Sequence, residues 1–153
     1  MKKRSTVHAT FVLERNYPAS PERVFAAWAE PAAKARWFAG PAEWQTTVPE
    51  FDFRVGGRER LRTGPPGGDA HSFDALYQDI VANERIVYSY DMHIGEPRIS
   101  VSLATVEFEA SAGGTRLVFT EQAAFLDGYD DAGSRERGTR DLLDKLERAL
   151  QSA

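Results

Sequence analysis

Glu121 stands in the run Leu117, Phe119, Glu121, Ala123, Phe125, where alternation at period two puts all five side chains on one face of a strand. A carboxylate in an otherwise apolar row must be paired with a cation, hold its proton, or touch a bound molecule. Glu121 therefore reads in two ways: as a solvated or arginine-bridged group near the open end of the strand, or as a general acid/base or ligand-polarising group. His71, Phe73, Ala75, Tyr77 and Asp79 share a second strand face, and Tyr88, Tyr90 and Met92 alternate away from Ser89, Asp91 and His93 on the next strand. Either set can line a pocket. Tyr77, Tyr88 and Tyr90 join an apolar body to one hydroxyl, which suits a core with a satisfied hydroxyl or an aromatic ligand surface. His71 follows a Gly-rich loop and belongs at a rim, His93 ends its strand, and His8 reads as strand surface.

Other chemistries lack the residues they need. With three widely separated histidines, no cysteine, and neither His-x-x-x-His nor Asp-x-Asp-x-Asp-Gly spacing, no metal site is expected. Gly-x-Gly-x-x-Gly and the Walker loop are missing, so no nucleotide and no other cofactor is expected. Nothing argues for a Ser–His–Asp nucleophile, and Gly-x-Ser-x-Gly does not occur. The formal charge of −4 argues against a nucleic-acid partner. No apolar run approaches the roughly 20 residues of a membrane helix. Lys2-Lys3-Arg4 is followed by no apolar stretch and reads as a solvated tail, so the expected location is the cytoplasm.

The elements that must position these side chains can be read from pattern and punctuation. A length of 153 residues suits one domain, 1–153, with a core that needs no staples. Period-two alternation predicts strands at Thr6 to Arg15, Glu43 to Phe53, Arg58 to Arg62, His71 to Val81, Arg85 to His93, Arg98 to Ala110 and Thr115 to Phe125. Ser20 is an N-cap, Pro21 the first helical residue and Glu22 a favourable first-turn charge; Val24, Phe25 and Trp28 share a face, and Pro31 ends that helix. Trp37 and Phe38 form the apolar side of a second short helix that stops at Gly40-Pro41. Gly64 to Asp69 is a loop, either a flap over a cavity mouth or an idle hairpin connection. From Ala132 to Gln151 the period turns helical, with Gly138, Leu142, Leu146 and Leu150 on one side and Thr139, Leu143 and Ala149 beside them. A glycine on that inward side signals close approach by a strand or by a ligand.

The block Ser-Pro-Glu-Arg-Val-Phe-x-Ala-Trp-x-x-Pro from Ser20 to Pro31, with Trp37-Phe38-Ala39-Gly40-Pro41, Val55-Gly56-Gly57-Arg58 and Gly113-Gly114-Thr115-Arg116-Leu117, resembles the START-like superfamily. Within it the chain is similar to the family of homologues of the activator of heat-shock protein 90 ATPase, in the polyketide cyclase and lipid-transfer clan. The resemblance implies an α+β helix-grip fold: a curved antiparallel sheet of six to seven strands around a long C-terminal helix, with two short helices after the first strand. It also implies a ligand cavity between sheet and helix, with contacts from Trp37, Phe38, His71, Phe73, Tyr77, Tyr88, Tyr90, Leu117, Phe119, Glu121, Gly138, Thr139 and Leu142. Thr139 falls where relatives often carry Trp, which widens or polarises the cavity if the side chain points inward. Three functions follow as expectations. The first is binding of a small hydrophobic or aromatic molecule; the second is a cyclase or dehydratase reaction in which Glu121, His71 or Tyr77 moves a proton. The third, stimulation of the chaperone ATPase, ranks last, because the eukaryotic activator binds its chaperone through an extra N-terminal domain and this chain starts almost at the first strand. Exposed strand edges leave both a homodimer and a monomer open.

Overall fold

The computed structural model of the chain describes residues 3–151. Its elements are β1 (Thr6–Tyr17), α1 (Pro21–Ala29), α2 (Pro31–Ala35), β2 (Gln45–Phe51), β3 (Arg58–Gly64), β4 (His71–Val81), β5 (Arg85–Ile94), β6 (Arg98–Ser111), β7 (Gly114–Leu126) and α3 (Ala132–Gln151). The strands form one curved antiparallel sheet in the order β1-β7-β6-β5-β4-β3-β2. All seven expected strands are present, with no end displaced by more than two residues. The alternating residues of the concave face, among them Leu13, Phe73, Tyr77, Tyr88, Tyr90, Val106, Phe108, Leu117 and Phe119, are buried together with Val24, Phe25 and Trp28 of α1 and Leu143, Leu146 and Leu150 of α3. No helix among the described residues is long and apolar enough to cross a membrane.

Three local features differ from the expectation. Pro31 both ends one helix and begins the next: the Glu30 N–H donates to the Ala26 carbonyl at 2.9 Å, and Pro31 is already the first residue of α2. Trp37 and Phe38 consequently lie beyond α2, in a closing turn where both amides donate to the Lys34 carbonyl at 3.1 and 2.8 Å. In β4 the pairing slips between Tyr77 and Asp79, so Gln78 is an extra residue, and the shared face expected from His71 to Asp79 breaks there. Tyr77 stays inside while Asp79 turns to Arg85 at 2.7 Å. The Gly64 to Asp69 loop borders a separate recess with Glu43, Gln45, Thr47 and Arg62, so it does not roof the main pocket.

One hairpin shows why its glycines are required. Gly113 adopts φ +80°, and a Cβ on Gly114 would stand 1.9 Å from the Tyr17 carbonyl oxygen. That approach lets the Thr115 hydroxyl donate to the Ala19 carbonyl at 2.6 Å, tying the exit of β1 to the start of β7 and fixing where α1 sits.

Candidate functional site

The inward stripe of α3 runs Arg135, Thr139, Leu143, Leu146, Leu150 at helical spacing, and its two halves differ. The C-terminal half carries three buried leucines that pack into the core. In the N-terminal half the stripe has only Thr139 and the polar-headed Arg135, with Gly138 alongside, and the helix there leaves space above the sheet. The result is an open pocket of about 760 Å³. Its floor is Leu61 and Thr63 of β3, His71 and Phe73 of β4, Tyr88, Tyr90, Met92 and Ile94 of β5 and Ile99 of β6. Arg135, Gly138, Thr139 and Leu142 form the helix side, and Phe38 to Pro41, Trp44 and Tyr129 edge the mouth. The aromatic floor is continuous: Phe73 lies 5.1 Å from Phe38, 4.8 Å from Tyr90 and 6.3 Å from Tyr88 between ring centroids. His71, at the start of β4, lies against Trp44 of the mouth, 4.9 Å between ring centroids.

Behind one end of this pocket Glu121 is completely buried. Tyr90 and Ser102, cross-strand partners on β5 and β6, donate their hydroxyls to Glu121 Oε2 at 2.7 and 2.8 Å. Arg135 Nη1 donates to the same oxygen at 3.3 Å and to the Tyr90 hydroxyl at 3.0 Å, while Nη2 donates to Ser100 Oγ at 2.7 Å and Asp130 Oδ2 at 3.0 Å. Of the two readings open for Glu121, the arginine bridge is the one observed, though in the interior and not at a solvated strand end. Glu121 Oε1 is buried without a hydrogen-bond partner among the described residues. Burial works against the charge of Arg135, but Tyr90, Glu121 and Asp130 outweigh it and its pKa rises. Burial, then Glu121, raise the pKa of Tyr90.

A second charged pair lies under Phe38. Lys34 is 3% exposed and Glu59 2%. Lys34 Nζ donates to Glu59 Oε1 at 2.7 Å, and the Tyr77 hydroxyl donates to the same oxygen at 2.6 Å. The ammonium sits 4.3 Å from the Phe38 ring centre and 5.4 Å from that of Phe51. Burial lowers the Lys34 pKa, and Glu59 opposes that shift. Burial followed by Glu59 raises that of Tyr77.

Of the residues expected to meet a ligand, Phe38, His71, Phe73, Tyr88, Tyr90, Gly138, Thr139 and Leu142 line the pocket, whereas Trp37, Tyr77, Leu117, Phe119 and Glu121 do not. Trp37 is 1% exposed, donates its indole N–H to the Ala27 carbonyl at 3.0 Å and packs on Trp28. Phe119 stacks with Phe11 and Trp28, and Leu117 is buried with them, because α1 covers that end of the concave face. Tyr77 is taken up by Glu59, and Glu121 is screened by Tyr90 and Arg135. Gly138 is exposed at the mouth, and a Cβ there would meet nothing within 4 Å, so no strand approaches it. Sequence reasoning missed Arg135, Asp130, Lys34, Glu59, Ser100, Ser102 and Ile94. Two of these carried a signal: Arg135 precedes Thr139 by four residues and Leu142 by seven, and Glu59 alternates with Leu61.

A seven-stranded antiparallel sheet gripping a C-terminal helix, with two short helices after the first strand and a pocket between sheet and helix, is the helix-grip architecture of the START-like superfamily. The chain belongs to the Activator of Hsp90 ATPase homolog 1-like protein family, whose family model matches residues 18–151. Its structure is similar to that of an uncharacterized protein from Rhizobium leguminosarum, with 51% identity, 99% of each chain covered and a TM-score of 0.91. It is also similar to Mll3558 from Rhizobium loti, with 49% identity, 95% of this chain and 99% of that one covered and a TM-score of 0.87. An AHSA1-like protein from Aeromonas hydrophila shares the fold at 24% identity, covering 94% of this chain and 93% of its own, with a TM-score of 0.73. No curated protein matches the chain.

Proposed function

We propose that the chain binds a small hydrophobic or aromatic molecule in the pocket between the sheet and α3. The observation that carries this reading is the about 760 Å³ pocket with its continuous aromatic floor, flanked along α3 by Arg135, Thr139, Asp141, Asp144, Lys145 and Arg148. A concave apolar floor with polar groups along one wall is what small-molecule sites share. The family fold is compatible with it. A cyclase-like reaction asks for a proton-moving group within hydrogen-bond reach of the substrate. Glu121, the acid that the strand pattern singles out, stands behind Tyr90 and Arg135, so binding has the better support.

The test is native mass spectrometry of the protein purified from its own organism or a close host, beside Leu142→Trp, which puts an indole into the pocket. The expected result is a stoichiometric small-molecule adduct on the wild type that the variant has lost. A bare wild-type mass, or the same adduct on both proteins, contradicts the reading.

A further inference from the structure

Three of the four buried tyrosine hydroxyls have partners inside the protein. Tyr17 donates to the Leu143 carbonyl at 3.0 Å, Tyr77 to Glu59 at 2.6 Å and Tyr90 to Glu121 at 2.7 Å. Tyr88 is the exception: it is 4% exposed and lines the pocket, yet no group among the described residues hydrogen-bonds to its hydroxyl. Nor is that oxygen sealed in protein like Trp28 Nε1 and Glu121 Oε1, the buried and unpartnered side-chain atoms of the described chain. What exposure Tyr88 retains is to the pocket that it lines. A hydroxyl that has no partner in the protein and opens on a pocket is placed to bond a guest there, and a guest that leaves it unpaired would bury it at a cost.

The surroundings decide which guest. Burial first, then Tyr90, Glu121 and Glu59, push the Tyr88 pKa well up, so the group is a phenol that donates. Glu59 is balanced by Lys34, but Arg135 faces two carboxylates, Glu121 and Asp130. These groups sum to one net negative charge, and of the other charged side chains that line the pocket Asp141 and Asp144 offset Lys145 and Arg148. Arg135 also offers little to an anion, because Nη1 and Nη2 already serve Tyr90, Glu121, Ser100 and Asp130. An arginine in an aromatic pocket ordinarily suggests a carboxylate or phosphate ligand, and here the geometry points the other way.

We propose that the Tyr88 hydroxyl anchors an uncharged carbonyl oxygen on an aromatic ligand, and that the pocket turns away carboxylates and phosphates. The assignment rests on the pocket being a small-molecule site, and the experiment separates the two. Pyrene, 1-acetylpyrene and 1-pyrenecarboxylate share one fluorescent ring system and differ in carrying no oxygen, a neutral carbonyl or an anion. Each is held at submicromolar concentration while wild type or Tyr88→Phe is titrated in. The wild type binds pyrene, and binds 1-acetylpyrene about tenfold more tightly than 1-pyrenecarboxylate. Tyr88→Phe weakens 1-acetylpyrene roughly three- to tenfold and leaves pyrene unchanged. Its melting temperature stays at or above that of the wild type, because no internal bond is lost. Tyr90→Phe is the contrasting control and melts lower, because it strips Glu121 of a donor.

Failure of the wild type to bind pyrene overturns the pocket reading and this assignment with it. Binding of pyrene with an unchanged 1-acetylpyrene affinity in Tyr88→Phe overturns the anchor and leaves the pocket reading standing. A carboxylate held as tightly as the ketone overturns the exclusion of anions.

Discussion

Two cations are buried among the described residues, Lys34 and Arg135, and they are held differently. Arg135 spreads its fork over two carboxylates and two hydroxyls, whereas Lys34 has one carboxylate, the Tyr77–Glu59 hydrogen bond beside it and a wall of rings. Removing one member of such a pair strands the other charge in a dry interior. Lys34→Met is therefore expected to lose about 3–5 kcal/mol in chemical denaturation, and Lys34→Met with Glu59→Leu to recover most of it. A double variant as unstable as the single would show that the cost lies in packing and not in the orphaned carboxylate. Glu121 was legible because alternation exposes a charge in an apolar strand. Its cation was not, since Arg135 sits in a segment dense with Arg, Glu and Asp that reads as a solvated face. Lys34 gave no signal at all: a lysine on a five-residue helix looks like surface until Phe38 folds over it.

At the scale of elements, α3 explains where space is left. Its leucines close the C-terminal half against the core, and its small and polar residues hold the other half away from the sheet. Gly138 contributes to that openness but is not required by backbone geometry or contact. Gly138→Ala should raise stability by about 1 kcal/mol, the ordinary helix-propensity gain, read as a higher thermal midpoint. A loss of stability would mean that something packs on that position. The caps, prolines and turn glycines made nearly every element readable in advance. The exceptions have local causes: Pro31 serves two helices at once, and the slip at Gln78 is a one-residue event that a period-two pattern cannot register.

For the whole molecule, the strands and the C-terminal helix followed from the pattern of elements and the helix-grip arrangement from the family resemblance, but the location of the pocket followed from neither. Which part of a concave face stays open depends on where α1 and α3 come to rest, and those contacts join residues far apart in the chain, as Thr115 with Ala19 and Lys145 with the Ala39 carbonyl show over 96 and 106 residues. Covering by α1 removed Leu117 and Phe119 from the wall and left Phe73, Tyr88, Tyr90 and Met92 in it. The most direct test of that arrangement is an amide NMR titration with 2-acetylnaphthalene, a soluble aromatic ketone. The account predicts saturable shifts at Phe73, Tyr88, Tyr90, Met92, Thr139 and Leu142 and none at the exposed Val12, Val101 and Leu103. Shifts centred on those exposed residues, or no saturation anywhere, would contradict a binding pocket beneath α3.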